Sequence, residues 1–339
     1  MLLAGIGLPF LTRAGVAGSS SLPDGAELLI AGPSGGRLDR LSMDLLPALQ
    51  RGLPAGTPLQ REFAGGPDGV TGANRFEARG TPDGASVLLM PGDAALAWLV
   101  GDPRARFSLG SLVPIMSGVT CGVLMSRLPL DQIGPGKRLR MAALRPDGPD
   151  LAGLLGLDLL GLQLDPTFSG SETAAVERAI LGRRADALFV VGPDTPKRVA
   201  RLAAAGLAPA FVLGVAGEDG TMRRDPLLPD VPTLAELAVR MHGAVPSGLL
   251  YDAWRAVAAA VQLSFLLALP PLTPASLVSL WRQSGAHAAA TIPPVEAGGM
   301  RLIACPETTA FTAPIASVDT ASLIELRQWL ALRLGWQPA

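Results

Sequence analysis

The sequence predicts an α/β protein of two lobes, each with a mainly parallel sheet flanked by helices. One observation is its length, since 339 residues exceed what a single hydrophobic core usually organises. The other is that short apolar segments alternate with segments of helical periodicity, joined by turns that contain glycine. Strands that alternate with helices along a chain predict parallel strands covered by helices on both faces.

Three glycine-rich turns in the first third of the chain each precede a predicted helix. Residues 27–31 form an apolar strand, and the turn at 32–36 leads into leucines that recur with helical spacing. A second turn, 65–72, opens a short helix. Residues 86–90 predict a buried strand, after which Pro91-Gly92-Asp93 opens the third helix.

The rest of the chain continues the alternation of strands and helices. A Ser-x-x-Glu capping box from Ser169 to Glu172 starts a predicted helix that ends near Gly182, and a Thr-x-x-Glu box runs from Thr233 to Glu236. Further strands are predicted over 139–144, 163–168, 185–191 and 209–215, and further helices over 151–162, 196–205, 274–284 (capped by Thr273) and 321–334.

Residues 1–18 predict a secretory signal peptide. An apolar run over 2–11 ends in small residues, which place a cleavage site after Ala17 or Gly18. No Lys or Arg precedes the run, so a buried first helix is the alternative. A signal peptide predicts that the protein is secreted.

Composition argues against several kinds of partner. Lys and Arg number 28 and Asp and Glu 29, so there is no positive excess to hold nucleic acid. Cys121, Cys305, His242 and His287 are too dispersed to suggest a zinc site, and no cofactor is expected. The two cysteines either pair in an oxidising compartment or are small buried side chains. The uncharged stretch 256–279 contains three prolines and does not resemble a membrane span.

A serine hydrolase is one alternative function, because residues 32–36 satisfy the G-x-S-x-G pattern with Ser34 as the nucleophile. The turn follows the first strand, so no upstream strand and loop can donate a second oxyanion amide. Neither histidine has a convincing acidic partner in the sequence. We therefore prefer the hypothesis that Ser34 is not catalytic.

The preferred reading is that these turns bind an anion. Glycines let main-chain amides point at a carboxylate where a helix begins, and the helix dipole favours the negative charge there. Each exposed helix start contributes only about 0.3–1 kcal/mol, so several must converge in one site. Asp39, at the third helical position, is expected to cap the helix start instead.

Four segments, in this order and spacing, resemble the receptors of tripartite tricarboxylate transporters, also called Bug-type receptors. They are 31–39, 66–73, 81–84 and, most discriminating, the Leu-Pro-Asp-Val-Pro-Thr-Leu-Ala-Glu run at 228–236. The resemblance implies a periplasmic-binding-protein type II fold, with two lobes joined by crossover strands. It also implies a monomeric, periplasmic, non-enzymatic receptor that delivers a small carboxylate to membrane permease subunits. An orphan sensory binding module is a further alternative.

The resemblance divides the chain and assigns its ligand contacts. Lobe one comprises 22–121 plus 219–339 and lobe two 122–218, with crossovers near 119–125 and 212–216. Asp93 would repel a di- or tricarboxylate unless Arg37 or an ammonium group on the ligand offsets it, so the solute is an organic acid or an amino acid. The expected ligand-binding residues are Ser34, Gly35, Gly36, Arg37, Pro67, Asp68, Gly69, Thr71, Pro91, Gly92, Asp93, Ser169, Gly170 and Ser171.

Overall fold

The computed structural model describes residues 22, 25–55, 57–134, 137–217, 221–293 and 299–338. The predicted signal peptide, 1–18, lies outside these residues. Across the described part of the chain, no helix has both the length and the apolar character needed to cross a membrane.

Thirteen strands occur in the described residues, and most of them belong to two sheets. Their bounds are β1 (Ala26–Ala31), β2 (Leu59–Ala64), β3 (Ser86–Met90), β4 (Val113–Val119), β5 (Gly122–Ser126), β6 (Arg138–Ala143), β7 (Gln163–Phe168), β8 (Ala187–Val191), β9 (Ala208–Val212), β10 (Val215–Ala216), β11 (Met222–Arg223), β12 (Leu263–Leu269) and β13 (Arg301–Ala304).

Both sheets are mixed, with two parallel pairs of strands in each. The first has the order β13-β4-β12-β3-β1-β2, and β1 runs parallel to β2 and β3, while β12 is antiparallel to β3 and β4. The second has the order β7-β6-β8-β5-β9, in which β6 is parallel to β7 and β8 and β5 is antiparallel to its neighbours. The predicted α/β class is confirmed, and the antiparallel strands are those that follow long or crossing connections.

Helices flank both sheets. They are α1 (Arg37–Gly52), α2 (Val70–Arg79), α3 (Gly92–Val100), α4 (Leu151–Leu159), α5 (Thr173–Leu181), α6 (Thr195–Ala204), α7 (Leu234–His242), α8 (Leu249–Gln262), α9 (Ala275–Thr291), α10 (Glu307–Ser317) and α11 (Thr320–Leu334). Every residue of strand β12 is buried, and sequence reasoning predicted no element over this part of the uncharged stretch.

One of the two predicted capping boxes is formed. Thr233 Oγ1 accepts a hydrogen bond from the Glu236 amide at 3.2 Å, and Glu236 Oε2 accepts one from the Thr233 amide at 2.8 Å. The box predicted at Ser169 is wrong, because the Ser169 hydroxyl donates to main-chain oxygens, and the Glu172 carboxylate pairs with Arg178. These residues form the turn after β7, and α5 begins only after them.

The predicted cap of α9 is also wrong. The Thr273 hydroxyl donates to the Pro270 carbonyl at 2.9 Å, and the residue that precedes the helix is Pro274. Proline has no amide hydrogen, and at a helix start such a hydrogen would have no partner within the helix. Pro274 can therefore precede α9 without a side-chain cap.

Helix α8 joins the two sheets at the back of the molecule. The buried Trp254 Nε1 donates to the Ala152 carbonyl on α4 at 3.0 Å, and the apolar core runs continuously from α8 into the residues beneath the second sheet. A second contact comes from α11, where Trp329 Nε1 donates to Asp158 Oδ2 at 2.8 Å. The two sheets therefore contact one shared hydrophobic core, which includes residues of α4 and α8.

Helix α4 begins at a buried carboxylate that organises the preceding loop. Asp150 Oδ2 accepts a hydrogen bond from the Leu144 amide at 2.7 Å and is 4% exposed as a residue. Burial raises the pKa of Asp150 to about 6, although the hydrogen bond from Leu144 and the charge of Arg198 oppose the rise. Loop 144–150 is thus held by a side chain with an altered proton affinity.

Replacing Gly92 tests the close approach of α3 to the end of α8. A Cβ on Gly92 would lie 2.2 Å from the carbonyl oxygens of Ala260 and Leu263, so Gly92→Ala forces the backbone to shift. We expect a loss of roughly 1–3 kcal/mol in unfolding free energy, measured by urea denaturation. Gly32→Ala is the matched control, since nothing lies within 4 Å of its Cβ position. Equal stability of the two variants would contradict this packing.

Asp150 predicts a pH dependence of stability. Because its pKa is raised in the folded protein, the folded state binds the extra proton, and its contribution is present below about pH 4 and lost as pH rises through about 6. Relative to wild type, Asp150→Asn should gain up to about 3 kcal/mol between pH 4 and pH 7, at about 1.4 kcal/mol per pKa unit. Urea melts across this range measure the difference, and Asp165→Asn, at an exposed strand position, is the control.

Candidate functional site

A cavity of about 590 Å³ lies between loops that belong to the two sheets. The carboxyl ends of parallel strands meet at one edge of a sheet, and ligands of α/β proteins bind in the crevice outside that edge. Here such edges of both sheets contribute to one crevice. The lining residues are Pro67, Asp68, Asp93, Leu96, Ala97, Val100, Asp102, Pro103, Arg104, Leu144, Arg145, Asp147, Gly148, Pro149, Gly170, Ser171, Trp336, Gln337 and Pro338.

Five of the predicted ligand-binding residues line this cavity. Pro67 and Asp68 come from the loop after β2, and Asp93 comes from the first turn of α3. Gly170 and Ser171 come from the loop after β7 in the other sheet. The fold therefore brings together residues from two predicted loops of one sheet and one predicted loop of the other.

In the first glycine turn, the Asp39 carboxylate accepts hydrogen bonds from groups of the turn itself. Asp39 Oδ2 accepts a hydrogen bond from the Gly35 amide at 2.7 Å, and Oδ1 accepts one from Arg61 Nη1 at 2.7 Å. Ser34 Oγ lies 3.5 Å from the same carboxylate. This agrees with the structural role expected for Asp39. Ser34, Gly35 and Gly36 are not among the cavity-lining residues, and their ligand contacts stay a prediction.

Arg37 connects this turn to the cavity. Its Nη1 donates to Ser264 Oγ at 2.7 Å, and its Nη2 lies 4.0 Å from Asp93 Oδ2. The long ion-pair distance and the half-exposed side chains make this a weak pair. Arg37 thus lies beside Asp93, the predicted ligand-binding residue whose negative charge would otherwise repel a di- or tricarboxylate.

Several of the other predicted residues pack the turns together. Gly69 is buried with φ at +76°, and a Cβ there would lie 2.3 Å from Pro91 Cδ. Gly92 and Pro91 are also buried, while Thr71 is exposed on the first turn of α2. Ser169 hydrogen-bonds to main-chain oxygens, as described above. Contacts of these residues with a ligand stay predictions.

Two arginines at the cavity were not predicted, and each is already paired with aspartate. Arg104 Nη1 donates to Asp68 Oδ2 at 2.9 Å, and Arg104 Nη2 donates to Asp102 Oδ2 at 2.6 Å. The hydrogen bond from Arg104 to Asp102 lowers the pKa of Asp102. On the other side, Arg145 Nε donates to Asp147 Oδ1 at 2.9 Å. The sequence signal is local, since both pairs flank a proline in the runs Asp-Pro-Arg and Arg-Pro-Asp.

Among the four aspartates that line the cavity, Asp93 has the weakest ion pair with an arginine. Desolvation at the cavity wall raises its pKa above the ordinary value, Arg37 and Arg145 oppose the rise, and Asp68 adds to it. Its side chain is 51% exposed, so water still screens these effects. The wall therefore carries four aspartates and two arginines. Arg37 does not line the cavity but lies beside Asp93.

Part of the cavity wall is apolar. Leu96, Ala97 and Val100 lie on one face of α3, and Trp336 comes from the segment after α11. Sequence reasoning missed this wall, because α3 is apolar on most sides and its orientation depends on what it packs against. Trp336 lies far along the chain from every segment that carries the family resemblance.

The geometry does not favour the serine hydrolase alternative. The side-chain partner of Ser34 is Asp39, and neither histidine, both of which lie in the described residues, contacts this serine. His242 Nε2 hydrogen-bonds to the Leu160 carbonyl, and His287 lies on α9 against Gly52 at the far end of α1. In the described residues, therefore, no histidine lies at Ser34 to act as the base of a Ser-His-Asp triad.

The cysteines do not pair. Cys121 is buried, and burial together with Asp225 raises its thiol pKa. The Cys305 thiol donates to the Pro114 carbonyl at 3.2 Å. Among the described residues there is also no group of three or more His, Cys, Asp or Glu side chains placed to hold a metal.

No protein-family model and no curated protein matches the sequence. Solved structures do match it. A TctC solute-binding protein from Polaromonas, without ligand, has a TM-score of 0.63 at 18% identity, over 90% of this chain and 96% of that chain. R. palustris Rpa4515 with adipate has a TM-score of 0.50 at 14% identity, over 94% of this chain and all of that chain (100%). At these identities the likeness concerns the fold, and the chain has the periplasmic-binding-protein type II fold of a TctC solute-binding protein.

Proposed function

We propose that this protein is an extracytoplasmic receptor that captures a small carboxylate between its two lobes for a tripartite tricarboxylate-type transporter. The observation that carries the proposal is the cavity, whose walls come from loops at the carboxyl edges of both sheets. A crevice at this position is the usual ligand site of α/β proteins. The shared fold with a TctC solute-binding protein supports the same function.

Main-chain amides are the expected donors to the ligand carboxylate. Both cavity arginines are paired with aspartates, whereas Gly170 and Ser171 precede the start of α5, and Asp93 lies in the first turn of α3. Amides in the first turn of a helix lack partners within it, and their dipoles favour an anion. Gly170, with φ at +72°, supports a turn that can gather successive amides.

The two lobes would move relative to each other when ligand binds. We assign 22–121 plus 219–339 to lobe one and 122–218 to lobe two, with hinges near 119–125 and 212–216. Closure brings both sets of loops onto one solute, and a ligand favours the closed form because it binds that form more tightly. The permease subunits would recognise the closed form of the monomeric receptor.

The periplasm is the expected location, and the function is not enzymatic. A signal peptide over 1–18 would direct secretion. In this proposal Ser34 belongs to a helix-capping turn organised by Asp39, and a fluorophosphonate should not label it. Labelling of Ser34 that ends with Ser34→Ala would favour the hydrolase instead.

Calorimetry with a panel of acids tests the receptor function. Rpa4515 is bound to adipate, so the panel contains adipate together with malate, glutamate and phenylacetate. At least one acid should bind with a Kd of about micromolar or better. Ser171→Trp should weaken that binding by at least about tenfold, because the indole would fill the cavity beside Gly170.

Ser276→Trp is the matched control, at an exposed serine on α9 that does not line the cavity. It should bind the same acid with unchanged affinity. Absence of binding by every acid, or equal effects of the two tryptophans, would contradict the proposal.

A further inference from the structure

We infer that the cavity selects a monocarboxylate with an apolar, flat body, and that Trp336 with the adjoining face of α3 determines this specificity. The inference rests on the proposed function and adds the class of solute to it. It follows from two features of the cavity wall, its charges and its apolar surface.

The charges allow one carboxylate on the ligand. Arg104 is shared between Asp68 and Asp102, and Arg145 is paired with Asp147, so an aspartate already offsets the positive charge of each guanidinium. The wall carries four aspartates against two arginines, so a second carboxylate would add to an existing excess of negative charge. Like charges placed together across an interface oppose binding, so di- and tricarboxylates are selected against.

The apolar part of the wall calls for an apolar body on the ligand. Residues 96, 97 and 100 lie on one face of α3, because positions three and four apart on a helix are neighbours. The partly buried Trp336 packs against the same apolar core and also lines the cavity. An indole presents a large flat apolar surface, on which planar groups stack.

Trp336 is held in place by the end of α11. Gly335 ends the helix with φ at +62°, and its amide donates to the Ala331 carbonyl at 3.1 Å. The Trp336 amide donates to the Leu330 carbonyl at 3.2 Å, which completes a glycine-based helix stop. The backbone position from which the indole extends is therefore set by regular hydrogen bonds.

The size of the cavity agrees with a ligand larger than a four-carbon acid. A volume of about 590 Å³ lies within the range of about 300–1,000 Å³ typical of pockets for drug-sized molecules. A small polar acid would leave water against the apolar wall. A larger apolar body displaces that poorly held water, which favours binding.

Calorimetry with phenylacetate, 4-phenylbutyrate, malate and adipate tests the inference. The two phenyl acids should bind at least about tenfold more tightly than malate. Trp336→Ala should weaken their binding by about tenfold or more, and Trp336→Phe should retain most of it because a flat apolar ring remains. Leu332→Ala is the control, since Leu332 is 84% exposed on α11 and does not line this cavity.

A second variant keeps the test decisive if Trp336→Ala fails to fold. Ala97→Phe fills the apolar wall from α3 and should abolish binding of the phenyl acids. The inference is overturned if malate or adipate binds more tightly than both phenyl acids, or if the foldable variants leave phenyl-acid binding unchanged. Binding of adipate or glutamate alone would leave the receptor function standing, whereas failure of these four acids and of glutamate to bind would remove both.

Discussion

The packing of α8 against α4 is the contact on which the site depends, because it holds the two sheets so that loops of both face one cavity. Trp254 is 1% exposed and donates its indole hydrogen to the Ala152 carbonyl. Gly156 on α4 lies beside this contact and allows α4 to pack on Phe211, because a Cβ there would lie 2.8 Å from Phe211 and 3.4 Å from the Trp254 indole nitrogen. A motion that closes the cavity would have to pivot about this contact, because separating it exposes a continuous apolar core.

The glycine turns of lobe one show how far the sequence predicts the site. The turns and the helices after them are where the sequence places them. Asp39 is structural as expected, although its carboxylate accepts from the Gly35 amide and not from the N-cap residue, Gly36. Their glycines, however, serve mainly close packing. Gly69 allows contact with Pro91, and Gly92 allows contact with α8. A glycine that frees an amide for a ligand and one that admits a neighbour look the same in sequence, and only the packing distinguishes them.

The parts that sequence reasoning missed are those fixed by distant contacts. Strand β12 is buried at every position and apolar at all but Ser264, so its sequence has no alternation to distinguish a central strand from a buried helix. Trp336 reaches the cavity only because α11 packs across α8 and ends beside α3. By contrast the Thr233 capping box is local, and its two hydrogen bonds follow from residues three apart.

Two of the charged pairs at the cavity are also local, and they contribute little to the stability of the fold. Asp102 and Arg104, like Arg145 and Asp147, are separated by a single proline, so they pair within their own loops. Both arginine side chains are more than half exposed, which makes the pairs worth little to stability. In the proposed receptor, these pairs reduce the positive charge that the two arginines offer to a ligand carboxylate.

Helix α3 connects the ligand wall with the contact between the lobes. Its first residue lies against the end of α8, and at its other end the Trp98 and Leu99 carbonyls accept hydrogen bonds from Arg327 of α11 at 3.2 and 3.3 Å. With both ends fixed, the face that carries Leu96, Ala97 and Val100 is preorganised, and a ligand loses little free energy in ordering it. In the proposed closure, therefore, α3 acts as the fixed wall and the loops at 144–149 and 169–172 are the parts that approach it.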